Sequence, residues 1–395
     1  MYYRLIILLI SVFLYSCQPN ANTSKGLQIL DIESCFKEEK EVKLSDIADD
    51  IEYLELKTPK EIVVSNISNI ISAEDFWLIY THKGIYKFAK TGDFIKQIGR
   101  KGQGPDEYIH ILGIDIDPAR KEIIQADLQS VLFYDFEGNF LRKVTINDYF
   151  FNIALSDSVL WTCGLCAFID KYMATGLSLD GDTLVVLPNP AYENTKNTDN
   201  FYIADLYDFR ETSRFGKDLY FQTRTSQDTV YRVSGAKCEP ALLFDMGKYK
   251  LPIEYERWYS IKDYEREGLN YWRISRMDED ARFYYLTAMR QKATNKKRGH
   301  KDDVKYIVYD KLAKCGFVTK GLHASKITDD ILGGPAFWPR WTTDEYYINT
   351  MEWAELSEKM EEEKCTLSPA LQKQFENWGE DTNQLIILCK KKSKR

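Results

Sequence analysis

Short apolar runs broken by turn residues recur along this chain from Ile51 to Leu388. The first, Ile51-Glu52-Tyr53-Leu54-Glu55-Leu56, alternates apolar and acidic positions, the pattern of a half-buried strand. Two later segments are near copies of each other. Gly84-Ile85-Tyr86-Lys87-Phe88-Ala89-Lys90-Thr91-Gly92-Asp93-Phe94-Ile95 matches Ser130-Val131-Leu132-Phe133-Tyr134-Asp135-Phe136-Glu137-Gly138-Asn139-Phe140-Leu141. Each has a β-rich run, a turn with glycine, and an aromatic that opens the next strand. Gly92 aligns with Gly138 and Phe94 with Phe140, and Leu78 and Ile124 match upstream, at a spacing of about 46 residues. That period suits the blades of a propeller. A third copy runs from Leu177 to Leu187, turned by Asp180-Gly181-Asp182.

Later units are more divergent. Leu219 to Thr223, Thr229 to Val233 and Ala241 to Phe244 read as strands of a fourth unit. Arg282 to Met289, Val304 to Tyr309 and Gly316 to Val318 fit a fifth. Phe337 to Trp341, Tyr346 to Met351 and Gln384 to Leu388 leave the sixth one strand short, and Ile51 to Leu56 is expected to supply it. A ring latched in this way has no open edge at its seam. The pattern therefore predicts an all-β fold, a six-bladed β-propeller closed by an N-terminal strand, with short helical insertions. Ile253 to Asn270 carries Tyr255, Trp258, Tyr259 and Tyr264 at roughly helical spacing. Within 353–378, Trp353 to Lys364 and Ser368 to Trp378 read as two short helices, with Ser368-Pro369 as cap and first helical residue.

The chain opens with Arg4 and an apolar run from Leu5 to Leu14, as a secretory signal does. The run is too short to span a membrane, which takes about 20 residues. Its ending, Leu14-Tyr15-Ser16-Cys17, resembles the lipobox of bacterial lipoproteins. The resemblance implies cleavage before Cys17, acylation of its thiol, and a membrane as partner through at least two acyl chains, which hold firmly. Gln18 after that cysteine, in place of Asp, favours an outer-membrane address in the cell envelope. The expected organisation is a signal peptide over 1–16, the lipidated Cys17 and a flexible tether over 17–38, and a propeller over 39–395. Gln18 to Lys25 is polar, as a tether should be.

Composition narrows the partners. A net charge of −7 argues against nucleic acid. The basic clusters Lys292 to Lys301 and Lys390 to Arg395 read as solvated loop and terminus, the alternative being contact with anionic lipid or glycan. Beyond Cys17, the cysteines Cys35, Cys163, Cys166, Cys238, Cys315, Cys365 and Cys389 are odd in number, so at least one thiol stays unpaired in an oxidising compartment. Cys163-Gly-Leu-Cys166 has redox spacing but lies on a strand-like stretch, where positions three apart face opposite ways, and reads as structural. H-E-x-x-H, G-x-S-x-G, P-loop and EF-hand signatures are missing. His82, His110, His300 and His323 are scattered, and Glu107, Asp115, Asp117 and Asp127 sit where turns and strand ends commonly place carboxylates. No cofactor is expected, although axial calcium, which needs only loop oxygens, is compatible with the sequence.

The segment Gly99-Arg100-Lys101-Gly102-Gln103-Gly104-Pro105-Asp106-Glu107-Tyr108 resembles the G-x-G-x-G-P-x-E-[YF] loop of six-bladed β-propeller lipoproteins of bacterial envelopes, relatives of NHL-repeat propellers. The resemblance extends through the Phe-x-x-x-Gly-x-Phe turns, Leu243-Phe244-Asp245-Met246-Gly247, Gly333-Gly334-Pro335-Ala336-Phe337-Trp338-Pro339 and the lipobox. It departs at Asn383, followed by Gln384 where relatives often have proline. It implies a closed propeller on a lipid tether and little about activity. In the loop, Gly102 and Gly104 permit turns and Pro105 fixes the exit. Its amides could form an anion nest, with Arg100, Lys101, Gln103 and Glu107 as ligand-binding candidates. The plainer reading is a staple between blades, with Glu107 pairing locally. Trp338, Arg340 and Trp341 could form a second, carbohydrate or peptide platform, extended by Trp258, Tyr259 and Trp272. The plainer reading there is an inner strand whose aromatics fill the gap between blades. Two functions are carried forward: a binding or scaffold protein for a glycan, a peptide or an envelope protein, and an axial-channel enzyme of the lactonase, lyase or hydrolase type seen in related propellers. Three or more convergent carboxylates or amides in the channel would favour the enzyme, and a plug of Tyr and Phe would disfavour it.

Overall fold

Successive hairpins pair into six antiparallel sheets, the blades of a β-propeller, in a computed structural model. It describes residues 26–392 apart from 147–149, 151, 164–170, 190–191, 193–201, 204–211, 223–227, 253–256, 259–269, 291–303 and 322–324. Blade 1 comprises Asn69–Ser72, Phe76–Tyr80, Ile85–Ala89 and Phe94–Ile98, from the axis outward. Blade 2 comprises Gly113–Asp117, Glu122–Asp127, Ser130–Asp135 and Phe140–Thr145. Blade 3 comprises Asn152–Ser156, Val159–Cys163, Tyr172–Leu177 and Thr183–Pro188. Blade 4 comprises Thr212–Phe215, Asp218–Gln222, Thr229–Ser234 and Lys237–Asp245, and blade 5 comprises Trp272–Glu279, Phe283–Arg290, Val304–Asp310 and Cys315–Thr319. Blade 6 takes Trp341–Thr342, Tyr346–Met351 and Leu385–Lys391 from the C-terminal part and Ala48–Glu55 from the N-terminal part.

The repeat seen in the sequence is the outer hairpin of blades 1 and 2. Gly92 and Gly138 turn with φ of 83° and 77°, a region that side chains resist. Each turn brings an aromatic back across its hairpin, Phe94 onto Phe88 at 5.7 Å and Phe140 onto Tyr134 at 6.0 Å between ring centroids. Edge-to-face pairs of this kind add to simple burial. At Gly92 the glycine is needed twice over, because a Cβ there would lie 2.2 Å from the carbonyl oxygen of Glu55 on the closing strand.

That strand, Ala48–Glu55, runs antiparallel to Leu385–Lys391, with Ile51 opposite Cys389 and Tyr53 opposite Ile387. Its alternation serves two cores. Ile51 and Tyr53 pack with Tyr285 and Tyr347 toward blade 5, and Leu54 packs with Trp77 and Phe88 of blade 1. Nor does the N-terminal segment stop at blade 6. Gln28–Asp31 adds a parallel strand to the rim of blade 4, and Glu39–Lys40 adds one to blade 5. Between them the one-turn helix Ile32–Cys35 starts on an Asp31 carboxylate that accepts the Ser34 amide at 2.9 Å. One belt thus covers three sheet edges in turn. The folded chain therefore starts earlier than the tether boundary expected at residue 38, because Leu30 and Ile32 bury fully with Phe244.

Blade 5 has an innermost strand, Trp272–Glu279, that the sequence reading lacked. Trp272 is buried there edge-on to Phe36, so it belongs to the core and not to an aromatic platform. In the stretch read as a helical insertion, Arg257–Trp258 pairs as a strand with Tyr202–Ile203, and residues 253–256 and 259–269 (Tyr255, Tyr259 and Tyr264 among them) lie outside the described residues. Trp353–Glu362 and Pro369–Phe375 are helices, the second begun by Ser368, whose hydroxyl accepts the Leu371 amide. Among the described residues no helix is long and apolar enough to cross a membrane. Cys35, Cys238, Cys315, Cys365 and Cys389 are free thiols, Cys163 is buried on blade 3, and Cys17 and Cys166 lie outside the described residues. Burial pushes the Cys35 thiol up to about 12, so it is a poor nucleophile.

Candidate axial binding site

The first strand of each blade faces the ring's axis, and together these strands enclose a cavity of about 540 Å³. Its walls carry charges that are almost out of water. Asp115 of blade 2 is 8% exposed, and Arg276 and Asp278 of blade 5 are 7% and 4% exposed. Charges survive at such depth only when paired and hydrogen-bonded. Asp115 Oδ2 accepts the Leu155 amide of blade 3 at 2.7 Å and the Arg214 guanidinium of blade 4 at 2.5 Å. Asp115 Oδ1 accepts the Ile116 amide at 2.9 Å, and Arg214 also donates to the Leu155 carbonyl. One carboxylate thereby ties three blades. Arg276 and Asp278 stand two apart on one strand and so share a face. Arg276 reaches the Arg340 carbonyl of blade 6 at 3.5 Å.

The cavity is open, with Tyr80, Phe215 and Trp341 among its aromatic lining. Asp115, Asp278 and Asp344 line it, as do the amides Asn69 and Asn152. Among the described residues, however, no group of three His, Cys, Asp or Glu is arranged to hold a metal ion. The lining therefore holds the carboxylates and amides that would favour an enzyme without a metal-type cluster of carboxylates, and among the described residues no plug of Tyr and Phe fills it. Its repertoire is donors and acceptors of both signs around an open space, suited to orienting a polar ligand.

Of the residues nominated from sequence, Trp341 lines this cavity. The Arg340 guanidinium lies 4.9 Å from the Trp341 ring centroid. Trp338 points elsewhere. Its indole donates to Thr287 Oγ1 at 3.1 Å and its ring packs on Tyr306 and Tyr285 at 4.9 and 5.9 Å, so protein occupies its faces. The three do not assemble into a platform, because the strand they were read as shortens to Trp341–Thr342.

The Gly99–Tyr108 loop joins the rim of blade 1 to the innermost strand of blade 2, and Arg100, Lys101, Gln103 and Glu107 do not line the cavity. Glu107 Oε1 lies 2.6 Å from Arg100 Nε, and its Oε2 accepts the Gly104 amide at 2.8 Å. The Gly102 amide donates to the Tyr108 carbonyl at 3.0 Å. Lys143, on the rim strand of blade 2, reaches the Glu107 carbonyl at 3.4 Å. The Gly102, Gly104, Glu107 and Tyr108 amides are spent inside the loop and do not form an anion nest, with Lys101 and Gln103 exposed beside it. A Cβ on Gly102 would lie 1.9 Å from Glu107 Oε2, so a side chain there would have to displace that carboxylate. The geometry is that of a staple. Glu107→Ala is expected to cost about 0.5–1.5 kcal/mol by urea denaturation, because Arg100 stays largely in water and the Gly104 amide is not fully buried. It should leave ligand binding in the axial cavity unchanged.

Sequence reasoning missed Arg214, Arg276, Asp278 and Asn152. Their signal was polar residues placed on the first strand of each unit, which only a correct strand count exposes.

The profile of a family described as "Domain of unknown function (DUF4934)" matches residues 27–390. Among solved structures, a candidate exported protein of Bacteroides fragilis aligns with a TM-score of 0.70 at 18% identity, covering 93% of this chain and 100% of that one. A member of the DUF4221 family from Bacteroides vulgatus aligns at 0.48 and 14% identity, covering 87% and 96%. The extracellular domain of a candidate one-component system of Bacteroides thetaiotaomicron aligns at 0.37 and 13% identity, covering 69% and 30%. The first shows a shared fold, and the other two are too distant to carry an argument. A comparison with curated proteins gave no match.

Proposed function

Since the chain belongs to the DUF4934 family, whose description assigns no activity, we propose from its geometry that it is a binding protein of the bacterial envelope that holds a polar ligand in its axial cavity. The observation that carries this reading is the set of nearly buried charges Asp115, Arg276 and Asp278, with the partly exposed Arg214 held by Asp115, on the walls of an open cavity of about 540 Å³. Asp115, Arg214 and Arg276 are positioned by contacts to neighbouring blades, so little ordering remains to be paid when a ligand enters. Asp115 is better suited to holding a ligand than to acid–base work, because both its oxygens are already engaged by donors. On this reading Cys17 is acylated, residues 18–27 form the tether, and the ring belongs with the NHL-like propeller lipoproteins of the outer membrane.

The test uses a soluble form beginning at Lys25, screened by calorimetry and on glycan and peptide arrays. Ser213→Trp places an indole at the cavity wall. Ligands of the parent are expected to be lost from this variant at an unchanged thermal midpoint. Retained binding, or conversion of the ligand to product, would overturn the proposal. For the anchor, Cys17→Ala is expected to move the protein from the membrane to the soluble fraction of cells.

A further inference from the structure

A second cavity, of about 510 Å³, opens between blades 1 and 6, where the ring is latched. It shares Ser72, Thr343 and Asp344 with the axial cavity, so the two spaces meet at the channel mouth. From there its walls step outward strand by strand: Trp77 and Tyr346 on the second strands, Leu388 on the third strand of blade 6, and Glu52 on the closing strand. The space is a radial cleft from axis to rim. Its chemistry is already tuned to ammonium groups. Lys90 Nζ sits 3.9 Å from the Trp77 ring centroid and 2.7 Å from Ser72 Oγ, an aromatic face and a hydroxyl acceptor around one cation. Desolvation lowers the Lys90 pKa, the mark of an ammonium held out of bulk water. Around that single lysine the cleft presents the exposed carboxylates Glu52, Glu74, Asp344 and Glu345.

We propose that the cleft and the axial cavity form one continuous site for an extended peptide bearing lysine side chains, with an ammonium among Glu52, Glu74, Asp344 and Glu345 and one end of the peptide in the channel. The inference rests on the axial cavity being the binding site. A peptide fits better than a simple polyamine because the channel walls carry amide and hydroxyl groups, Asn69, Ser213 and Thr342 among them, beside the carboxylates.

The probe is fluorescent tetralysine, followed by anisotropy with the soluble protein at low and physiological salt. Glu52→Gln with Glu74→Gln, one on each wall, is expected to weaken binding about fivefold or more, as two partly exposed ion pairs would. Lys90→Met, which removes the resident ammonium, is expected to tighten it. Glu358→Gln with Glu362→Gln, on the remote helix Trp353–Glu362, removes the same charge and should change little. Equal weakening by both pairs, or spermine bound as tightly as tetralysine, would overturn the proposal. Failure of tetralysine to bind while Ser213→Trp still blocks another ligand would contradict the cleft and leave the channel reading standing. Tetralysine binding that is lost on changing Glu52 and Glu74 but indifferent to Ser213→Trp would contradict the channel reading.

Discussion

A chain lacking residues 27–56 is expected to lose the cooperative fold of the whole ring, and not merely to trim one blade. Ile51, Tyr53, Leu54 and Leu56 are buried, and burying each such side chain is worth about 1.5–3 kcal/mol. Four of them together rival the entire stability of a typical domain, about 5–15 kcal/mol. The loss would also bare Leu385–Lys391, an apolar strand with an unpaired edge. Because a bared apolar edge promotes aggregation, the informative experiment adds a synthetic peptide spanning 45–58 in trans during refolding. Recovery of soluble protein with the native circular dichroism spectrum is expected. The single change Tyr53→Ala gives a graded version, with an expected loss of about 3–5 kcal/mol by urea denaturation. An unchanged thermal midpoint in either form would contradict the latch.

Asp115→Ala is expected to have the next largest effect. Removing one partner of a buried ion pair costs about 3–5 kcal/mol. Arg214 is partly exposed, so water should soften the loss toward the lower figure. The Leu155 amide, buried between blades 2 and 3, would lose its acceptor outright. Asp115→Asn retains an oxygen for that amide and gives up only the charge, so it should cost roughly half as much. Binding separates the site role from the structural one. Asp115→Asn is expected to weaken the axial ligand although the ring stays folded, because Arg214 is no longer held in place. A cost below about 0.5 kcal/mol for Asp115→Ala, the level of an ordinary surface change, would show that the three-blade tie is absent.

What the sequence revealed, and what it hid, follows from the range of the forces involved. The outer hairpins were legible because Gly92 and Gly138 must adopt positive φ and because Phe94 and Phe140 must return across them. The helix after Ser368-Pro369 was legible for an equally local reason, a hydroxyl capping a first turn. The closing strand showed through its alternation. The belt over blades 4 and 5 did not, since Gln28–Asp31 and Glu39–Lys40 are too short to display a period and gain their stability from strands far along the chain. Trp272–Glu279 was concealed by its own charges, which look like a surface until blades 4 and 6 close around them. The axial site was hidden for the same reason, because Asp115, Arg214 and Arg276 meet only once the ring is formed. The Gly99–Tyr108 motif was legible as a motif, but its glutamate serves the junction of two blades and says nothing of a ligand.

The most direct test of the closed ring is a covalent one. Ile51 and Cys389 face each other across the latch. Refolding the Ile51→Cys variant in a glutathione redox buffer should join position 51 to Cys389, and peptide mass spectrometry should find that single crosslink in a protein of raised thermal midpoint. No crosslink, or one to a different cysteine, would mean that the two ends of the chain do not share a blade, and the axial site would have no ring to enclose it.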